Sequence, residues 1–289
     1  MLTVVLATAD GGRLDLALSA LDAACAGVPA RILLVTAGAV ETEPLASIQA
    51  GDAKIEVIRC PAQSLVPDLW GAGLRAATGE AVAFTSTACA VSPTWARALL
   101  ATLQSGADGV GGPFELADGS SAVESAMFYL RYARFLGGPQ AARLRGGEIA
   151  GDNAAYRLSA LEHYDATDGF WEVAFHKSLR AAGGSLAWCP AAVARFASRM
   201  TFAQALTQRF VHGRHSGAFR LAGGRARWKI LLAAPLVPVV LAWRAFRDTA
   251  PSTDHRSRFL GALPVFLALA AAWAAGEFVG GVLGGAKDA

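Results

Sequence analysis

Polar side chains that could bind a ligand or move a proton stand next to short apolar runs of this sequence. Six of them lie within three residues of such a run: Thr8, Asp10, Ser86, Thr87, Asp152 and Asn153. Glu172 stands apart, in the first turn of a predicted helix. A glutamate there either complements the helix dipole or serves as a general base. The sequence therefore offers one candidate proton acceptor and a set of hydroxyl, amide and carboxylate ligands.

The elements that must position these side chains follow a β-α-β-α rhythm over the first hundred residues. Helical patterns alternate with four apolar runs of strand length: Thr3–Ala7, Ile32–Val35, Ile55–Ile58 and Ala81–Thr85. This rhythm predicts an α/β fold with a mostly parallel sheet covered by helices on both faces. Ligands of such sheets bind beyond the carboxyl ends of the strands. The loops Thr8–Gly12, Thr36–Gly38 and Ser86–Cys89 are therefore the expected site.

Two later helices bear on the site. Phe170–Ala182 is predicted to be helical, with Asp168 as its N-cap. Thr201–Phe219 is amphipathic, with Phe202, Leu206 and Phe210 on one face. That second helix either packs on its own domain or lies on lipid headgroups.

The C-terminal part of the chain is unusually apolar. Hydrophobic residues make up 54% of the 289 residues against 17% charged, which is high for a soluble domain. Residues 225–258 carry seven basic and two acidic side chains, whereas residues 1–224 are nearly neutral. Basic charge concentrated beside apolar segments favours a membrane over a nucleic acid as partner. The four cysteines have no paired spacing, so neither a disulfide framework nor a zinc site is expected.

Two apolar segments predict the membrane attachment. The run 230–243 is short and broken by two prolines, so it is either a kinked span that pairs with the second segment or a wedge that enters the membrane and returns. Basic residues on both of its flanks favour the wedge, and a buried hairpin of a soluble protein is the remaining alternative. Phe259–Gly276 has no charge and would be about 27 Å long as a helix, so a span is predicted at about 259–278. We expect a domain at 1–224 and an anchor at 225–289. Basic flanks place the domain on the cytosolic face of the inner membrane and Ala289 on the other side.

Six short segments occur in a characteristic order: Val4–Thr8, Ile32–Val35, Gly79–Phe84, Cys89 with Pro93-x-Trp95, Gly151-x-Asn153-x-x-x-Arg157, and Gly169–Glu172 with Leu179-Arg180-x-x-Gly183. In this order and spacing they resemble family 2 glycosyltransferases of the GT-A fold. The resemblance covers about residues 1–215. It implies a nucleotide-sugar donor, a lipid-linked or membrane-proximal acceptor and an inverting transfer.

The resemblance also implies a role for each candidate residue. Glu172 takes the position of the general base. The donor side comprises Thr8, Asp10, Ser86 and Thr87, and the acceptor side comprises Asp152, Asn153 and Arg214.

The sequence departs from this family at the metal motif. The Asp-x-Asp that holds a divalent cation should fall at Ser86-Thr87-Ala88, which has no carboxylate. Mg²⁺ and Mn²⁺ need oxygen ligands of the carboxylate kind. The resemblance leaves Mg²⁺ or Mn²⁺ open, but the residues do not lead us to expect a metal site or another cofactor.

Because the metal motif is missing, other functions are also consistent with the sequence. One alternative is a degenerate GT-A domain that acts as a non-catalytic partner subunit in membrane glycan or lipid assembly. A nucleotidyltransferase would need a basic Gly-rich first loop, which Ala7–Arg13 does not supply.

Overall fold

A computed structural model describes residues 1–9, 12–38, 54–138, 148–222 and 227–283. Its contacts divide the chain into two compact units. The sheet unit comprises Met1–Ala117 and Phe135–Ser198, and the helical unit comprises Asp118–Arg134 and Arg199–Ala289. This grouping differs from the predicted division at residue 224. The anchoring role predicted for 225–289 stays a prediction.

The sheet unit is built on a mostly parallel sheet, as the sequence predicted. Its seven described strands are β1 (Leu2–Thr8), β2 (Ala30–Ala37), β3 (Lys54–Cys60), β4 (Ala81–Ser86), β6 (Gly109–Gly111), β8 (Ala154–Arg157) and β9 (Leu186–Trp188). They lie in the order β3-β2-β1-β4-β8-β6-β9, and among them only β8 runs antiparallel to its neighbours. A second sheet joins β5 (Cys89–Val91), β10 (Ala194–Phe196) and β7 (Phe114–Leu116).

Helices cover both faces of the large sheet because the strands are apolar on both sides. On one face Leu18 and Trp95 lie in a buried cluster with the β1 and β4 side chains. On the other face Trp70, Phe84 and Phe170 form a second cluster. The helices are α1 (Leu14–Cys25), α2 (Val66–Arg75), α3 (Trp95–Gln104) and α5 (Glu172–Ala181).

The start of α5 differs from its prediction. The helix begins at Glu172, and Trp171 rather than Asp168 occupies the N-cap position, without a side-chain cap. The N-cap prediction for Asp168 is therefore wrong. Instead, the Trp171 N–H donates to the Tyr164 hydroxyl at 3.0 Å and the Phe170 N–H donates to the Pro67 carbonyl at 2.7 Å. Tertiary hydrogen bonds fix this helix start, and a local capping pattern cannot reveal them.

The helical unit comprises α4 (Ala122–Tyr132), α6 (Phe202–Ala222), α7 (Arg227–Ala233), α8 (Val237–Thr249) and α9 (Thr253–Leu283). α6 packs along α9 through its small residues, and the face with Phe202 and Phe210 does not form this contact. Phe202 and Phe210 are exposed. The buried positions are Ala205, Arg209, Gly213 and Gly217, at intervals of four residues. Small residues allow the two helix backbones to approach closely, whereas the phenylalanines would hold them apart.

The two apolar C-terminal segments are both helical and extend beyond their predicted limits. The predicted wedge 230–243 lies within α7, a 3₁₀ turn at Ala234–Leu236 and α8. The turn coincides with Pro235, which cannot donate a backbone hydrogen bond. Within the described ranges one helix, α9, is long and apolar enough to cross a membrane, and 39% of its most apolar window is buried inside the protein. The predicted span 259–278 is the middle of α9.

Candidate active site

Three neighbouring parallel strands end side by side in hydroxyl residues. Thr8 of β1 is paired in register with Thr36 of β2, and Ala7 with Ser86 of β4. Thr8 and Ser86 are 1% and 4% exposed, and their hydroxyls have no hydrogen-bond partner among the described residues. The Thr85 hydroxyl is also buried and unpartnered within the described chain. A buried polar group without a partner is destabilising, so this edge of the sheet favours a ligand or a loop that supplies one.

The loop after β4 is fixed against the loop after β1. The Thr87 N–H donates to the Ala7 carbonyl at 3.0 Å, and the Thr87 carbonyl accepts from the Arg13 N–H at 3.1 Å. A Cβ at Gly12 would lie 2.8 Å from the Thr87 hydroxyl oxygen, so this close approach requires glycine. Ser86 and Thr87 are therefore brought together with Thr8, as predicted for the donor side. Asp10 lies outside the described residues.

Trp70 connects the end of β4 to the segment before β8. Its indole N–H donates to the Thr85 carbonyl at 3.1 Å. Its six-membered ring lies against Gly151, where a Cβ would come within 2.8 Å of Cζ3. α2 can bring Trp70 this close because Gly73 of the same helix packs directly on Val5 of β1. Trp70 is thus both a buried core residue, 4% exposed, and the bridge between these two segments.

Glu172 lies at the same edge of the sheet. Its carboxyl carbon is 3.3 Å from the position of a Cβ at Gly151, so Trp70 and Glu172 both line the space that this glycine leaves open. Gly151 begins the 3₁₀ turn Gly151–Asn153, which leads directly into β8. Glu172 is half-buried, so its carboxylate can meet a ligand at the first turn of α5. The observed helix start confirms the predicted first-turn position.

The floor beneath Glu172 is aromatic. The Tyr156 hydroxyl and His176 Nε2 are 2.7 Å apart and both side chains are buried. Burial, with a smaller contribution from the Glu172 carboxylate, raises the pKa of Tyr156 well above its usual value. Burial, and then the nearby Arg180, lowers the pKa of His176 to about 4. Tyr156 and His176 are therefore both uncharged at neutral pH.

Asp152 and Asn153 play different parts. Asn153 is fully buried, and its amide oxygen accepts from the Trp95 indole at 2.6 Å. Its amide nitrogen donates to the carbonyls of Pro113 and Ala192 at 3.0 and 2.9 Å. Asn153 thereby pins the 3₁₀ turn in place. Asp152, 6% exposed, sits between Asn153 and the glycine that faces Glu172.

Arg214, the remaining predicted acceptor-side residue, belongs to α6 of the helical unit. Its backbone is packed against α9, since a Cβ at Gly280 would lie 1.9 Å from the Arg214 carbonyl oxygen. Its position is therefore set by contacts within the helical unit.

The described residues contain no group of three or more His, Cys, Asp or Glu side chains close enough to hold a metal ion. At the position of the predicted metal motif the side chains are Ser86, Thr87 and Ala88. This donor set offers hydroxyl oxygens and no carboxylate.

The comparisons with known proteins concern the fold. No protein-family model and no curated protein matches the sequence. Among solved structures, the mannosyltransferase PcManGT from Pyrobaculum calidifontis, in complex with GDP-Man and Mn²⁺, is similar at a TM-score of 0.52 and 16% identity, covering 93% of this chain and 85% of that one. The fold is GT-A-like.

Two further structures are similar to parts of this chain. Glucosyl-3-phosphoglycerate synthase from Mycobacterium tuberculosis, in complex with phosphoglyceric acid, has a TM-score of 0.49 and 16% identity, covering 74% of this chain and 77% of that one. TarS of S. aureus, residues 1–349 with UDP-GlcNAc, has a TM-score of 0.40 and 15% identity, covering 56% and 46%.

The GT-A-like mannosyltransferase was solved with Mn²⁺, and this raises the question of a metal here. Hard cations need several oxygen ligands, and carboxylates provide the charge that holds them. Ser86, Thr87 and Ala88 do not fit that requirement.

Proposed function

We propose that this chain is an inverting glycosyltransferase related to family 2, which moves a sugar from a nucleotide-sugar to a lipid-linked or membrane-proximal acceptor. One observation carries the proposal. The Glu172 carboxylate and the Trp70 ring share the space beside Gly151. The Trp70 indole N–H also donates a hydrogen bond to Thr85, in the strand that ends at Ser86. A candidate base and hydroxyls without a partner among the described residues thus occupy one edge of a GT-A-like sheet.

The donor is proposed to bind at the hydroxyl end of the crevice. Thr8, Ser86 and Thr87 would donate hydrogen bonds to phosphate or ribose oxygens there. Arg13 would supply positive charge there, since its backbone N–H donates a hydrogen bond to the Thr87 carbonyl and so keeps the residue beside this loop. A charge-assisted hydrogen bond from its guanidinium to a phosphate is stronger than a neutral one. The GDP-Man bound by the mannosyltransferase of similar fold supports a nucleotide-sugar as the first ligand class to test.

The proposed reaction is a single displacement at the anomeric carbon. The acceptor oxygen forms a bond to that carbon while the bond from the carbon to the phosphate oxygen breaks. The nucleoside diphosphate leaves with the electron pair, and the acceptor proton moves to Glu172. A positioned base contributes about 10²–10⁴-fold to such a transfer. The neutral Tyr156–His176 pair below Glu172 adds no cation that would compete for its carboxylate.

We propose that the helical unit holds the chain on the cytosolic face of the inner membrane. The support is the exposed apolar surface of that unit, which includes Leu232, Leu236 and Trp243 at 60–70% exposure. Basic residues beside these segments favour the cytoplasmic side. An acceptor at or near the bilayer is the natural partner of an enzyme held there.

A degenerate, non-catalytic partner subunit remains the second candidate. The observation that favours it is the absence of a carboxylate at Ser86-Thr87-Ala88, together with the full engagement of the Asn153 amide inside the protein. Such a subunit would keep the fold and lose the donor.

A ligand screen separates the two candidates. UDP-, GDP- and dTDP-sugars are added to the full chain, with Mn²⁺ or with EDTA, and the thermal midpoint is measured. A transferase is expected to be stabilised by at least one of them, since a ligand that binds only the folded state raises its stability. The increase should be nearly the same in EDTA. No stabilisation by any donor would favour the non-catalytic subunit, and stabilisation that needs Mn²⁺ would indicate a metal site.

A further inference from the structure

α9 is accompanied by other helices over most of its length. Its N-terminal part packs on α4, where the rings of Tyr129 and Phe259 meet edge to face at 5.6 Å. Its C-terminal part packs on α6 with the two backbones in contact. A Cβ at Gly276 would lie 2.0 Å from the Phe210 carbonyl oxygen, and one at Gly213 would lie 2.1 Å from the Trp273 carbonyl oxygen. The residues of α6 from about 210 to 217 therefore lie level with residues 273–281 of α9.

The part of α6 that lies level with α9 is strongly cationic. It carries five basic or titratable side chains: Arg209, His212, Arg214, His215 and Arg220. Arg209 is 5% exposed and lies over the Trp273 ring at 5.5 Å, so it cannot reach away from α9. Arg220 pairs with Glu277, which is 2% exposed in the middle of this contact.

This packing conflicts with α9 as a membrane span. If residues 259–278 crossed the hydrocarbon, α6 would carry its arginines and histidines into the same layer. Charged side chains in hydrocarbon are costly and are tolerated when they face a protein interior or water. Arg214 is only half-buried, so part of this charged side chain would meet lipid.

The outward faces of the neighbouring helices suit a different arrangement. α8 packs through Ala245 and Thr249, which are buried, and turns its large apolar side chains outward. Exposed side chains recur at intervals of three and four residues along α7 and α8: Trp228, Leu232, Leu236, Val239, Val240 and Trp243. A helix with its apolar face outward and tryptophans at both ends of that face is typical of the membrane interface.

The charges beside this apolar face identify the kind of lipid surface it fits. Arg227 lies next to the first tryptophan, and Arg244 and Arg247 follow the second, all three exposed. Arg256, at the start of α9, is also exposed and lies over the Phe246 ring at 4.4 Å. Arginines level with the headgroups attract anionic lipids.

We infer that the helical unit binds one leaflet of an anionic phospholipid bilayer through the outward face of α7 and α8, and that α9 does not cross the membrane. The inference rests on the membrane association in the proposed function, but it requires no transferase activity. In this arrangement neither the wedge 230–243 nor the span 259–278 enters the hydrocarbon as predicted, and the whole chain stays on one side of the membrane.

A labelling experiment tests the topology. Three full-length variants each gain one cysteine, and the unsubstituted protein, with four native cysteines, reports the background. Val173→Cys marks the side of the sheet unit, Ser252→Cys lies between α8 and α9, and the third cysteine is appended after Ala289. An impermeant maleimide is applied to sealed membrane vesicles of both orientations.

All three cysteines are expected to react from the same side, each at least tenfold above the background. Labelling of the appended cysteine from the opposite side would show that α9 spans the membrane. Labelling of Ser252→Cys from the opposite side would show a two-span hairpin. Recovery of the chain outside the membrane fraction would also overturn the inference. None of these outcomes depends on a nucleotide-sugar, so failure of the proposed transfer would be seen separately.

A vesicle experiment tests the surface itself. Full-length protein is mixed with vesicles of phosphatidylcholine alone or with phosphatidylglycerol, and the bound fraction is measured by flotation. Val239→Asp places a charge on the outward face, at a valine that is 66% exposed. Val173→Asp is the matched control, at a valine of α5 that is 75% exposed.

Binding is expected to be at least fivefold stronger to the anionic vesicles and to fall at least fivefold in Val239→Asp. The Val173→Asp variant should bind like the unsubstituted protein. Equal binding to both vesicle types, or equal binding by Val239→Asp and the unsubstituted chain, would overturn the inference.

Discussion

At the residue scale, the hydroxyls of Thr8 and Ser86 are the clearest sign of a binding function. Core positions at strand ends are normally apolar or hydrogen-bonded, and these two are buried without a partner in the described chain. The protein keeps them at a cost in stability, which is expected when a ligand uses them. Removing one of these hydroxyls therefore distinguishes a binding role from a structural role, because the two roles predict opposite changes in stability.

Ser86→Ala should leave the unliganded protein as stable or up to about 1–3 kcal/mol more stable, because it removes an unsatisfied buried hydroxyl. The affinity for the donor should fall about tenfold or more, as expected for a lost hydrogen bond to a charged group. Chemical unfolding and ligand titration measure the two effects. Thr3→Val is the control: Thr3 is at the other end of β1 and donates to the Thr78 carbonyl at 2.6 Å, so this change should lower stability and spare donor binding. Unchanged donor affinity in Ser86→Ala would remove this hydroxyl from the site.

His176 gives the sheet unit a defined response to pH. Its folded pKa of about 4 lies below the unfolded value of 6.5, so the unfolded chain takes up the proton first as the pH falls. The contribution to stability is therefore complete above pH 6.5 and is lost between pH 6.5 and pH 4. The loss should be about 3 kcal/mol.

Comparison with His176→Gln isolates this effect, because all other titrating groups are shared. The free energy of unfolding is measured from pH 7 to pH 4 for both proteins. The unsubstituted protein should lose about 3 kcal/mol more than the variant over this interval. Equal pH dependence would show that the pKa of His176 is the same in the folded and the unfolded chain.

At the element scale, the close packing of α6 and α9 depends on glycine. Gly276→Ala would bring a methyl group to 2.0 Å from the Phe210 carbonyl oxygen, so the helices must separate. The expected loss of stability is at least about 1–3 kcal/mol, typical of overpacking. Gly261→Ala is the matched control in the same helix, since its Cβ would meet nothing within 4 Å. The thermal midpoint and the protease sensitivity of the detergent-solubilised chain report the difference. Equal behaviour of the two variants would show that α6 and α9 are not in contact.

Sequence patterns predicted the elements better than their contacts. The four predicted strands and the first-turn position of Glu172 follow from local apolar runs and breakers, and the structure confirms both. The short strands β5, β6, β7 and β10 were not predicted. The amphipathic pattern of α6 marked Phe202 and Phe210 but did not indicate that the contact with α9 uses the small residues. The glycines at 213, 217, 276 and 280 were the indication of this contact in the sequence, since small residues spaced four positions apart are typical of closely packed helices. The bridge from Trp70 to Gly151 joins residues eighty positions apart, and no local pattern indicates it.

At the scale of the whole molecule, every residue of the sheet unit precedes residue 199, whereas the outward apolar faces of α7, α8 and α9 follow residue 226. A chain that ends at residue 224 should therefore lose membrane association and keep the sheet unit folded. Density-gradient flotation separates membrane-bound protein from aggregate, and near-UV circular dichroism reports tertiary packing. Flotation of the shortened chain with the membranes would place the lipid contact elsewhere.

The transfer of labelled sugar to membrane lipids by Glu172→Gln tests the central proposal most directly. The variant keeps the size of the side chain and removes its basicity, and Glu162→Gln is the control at an exposed glutamate of the same unit. With the donor found in the screen and extracted membrane lipids as acceptor, turnover should fall about 10²–10⁴-fold in Glu172→Gln while donor affinity is unchanged. If Glu172 only complements the helix dipole, the variant loses about 0.3–1 kcal/mol of stability and no activity. Full activity of Glu172→Gln would contradict its role as the base.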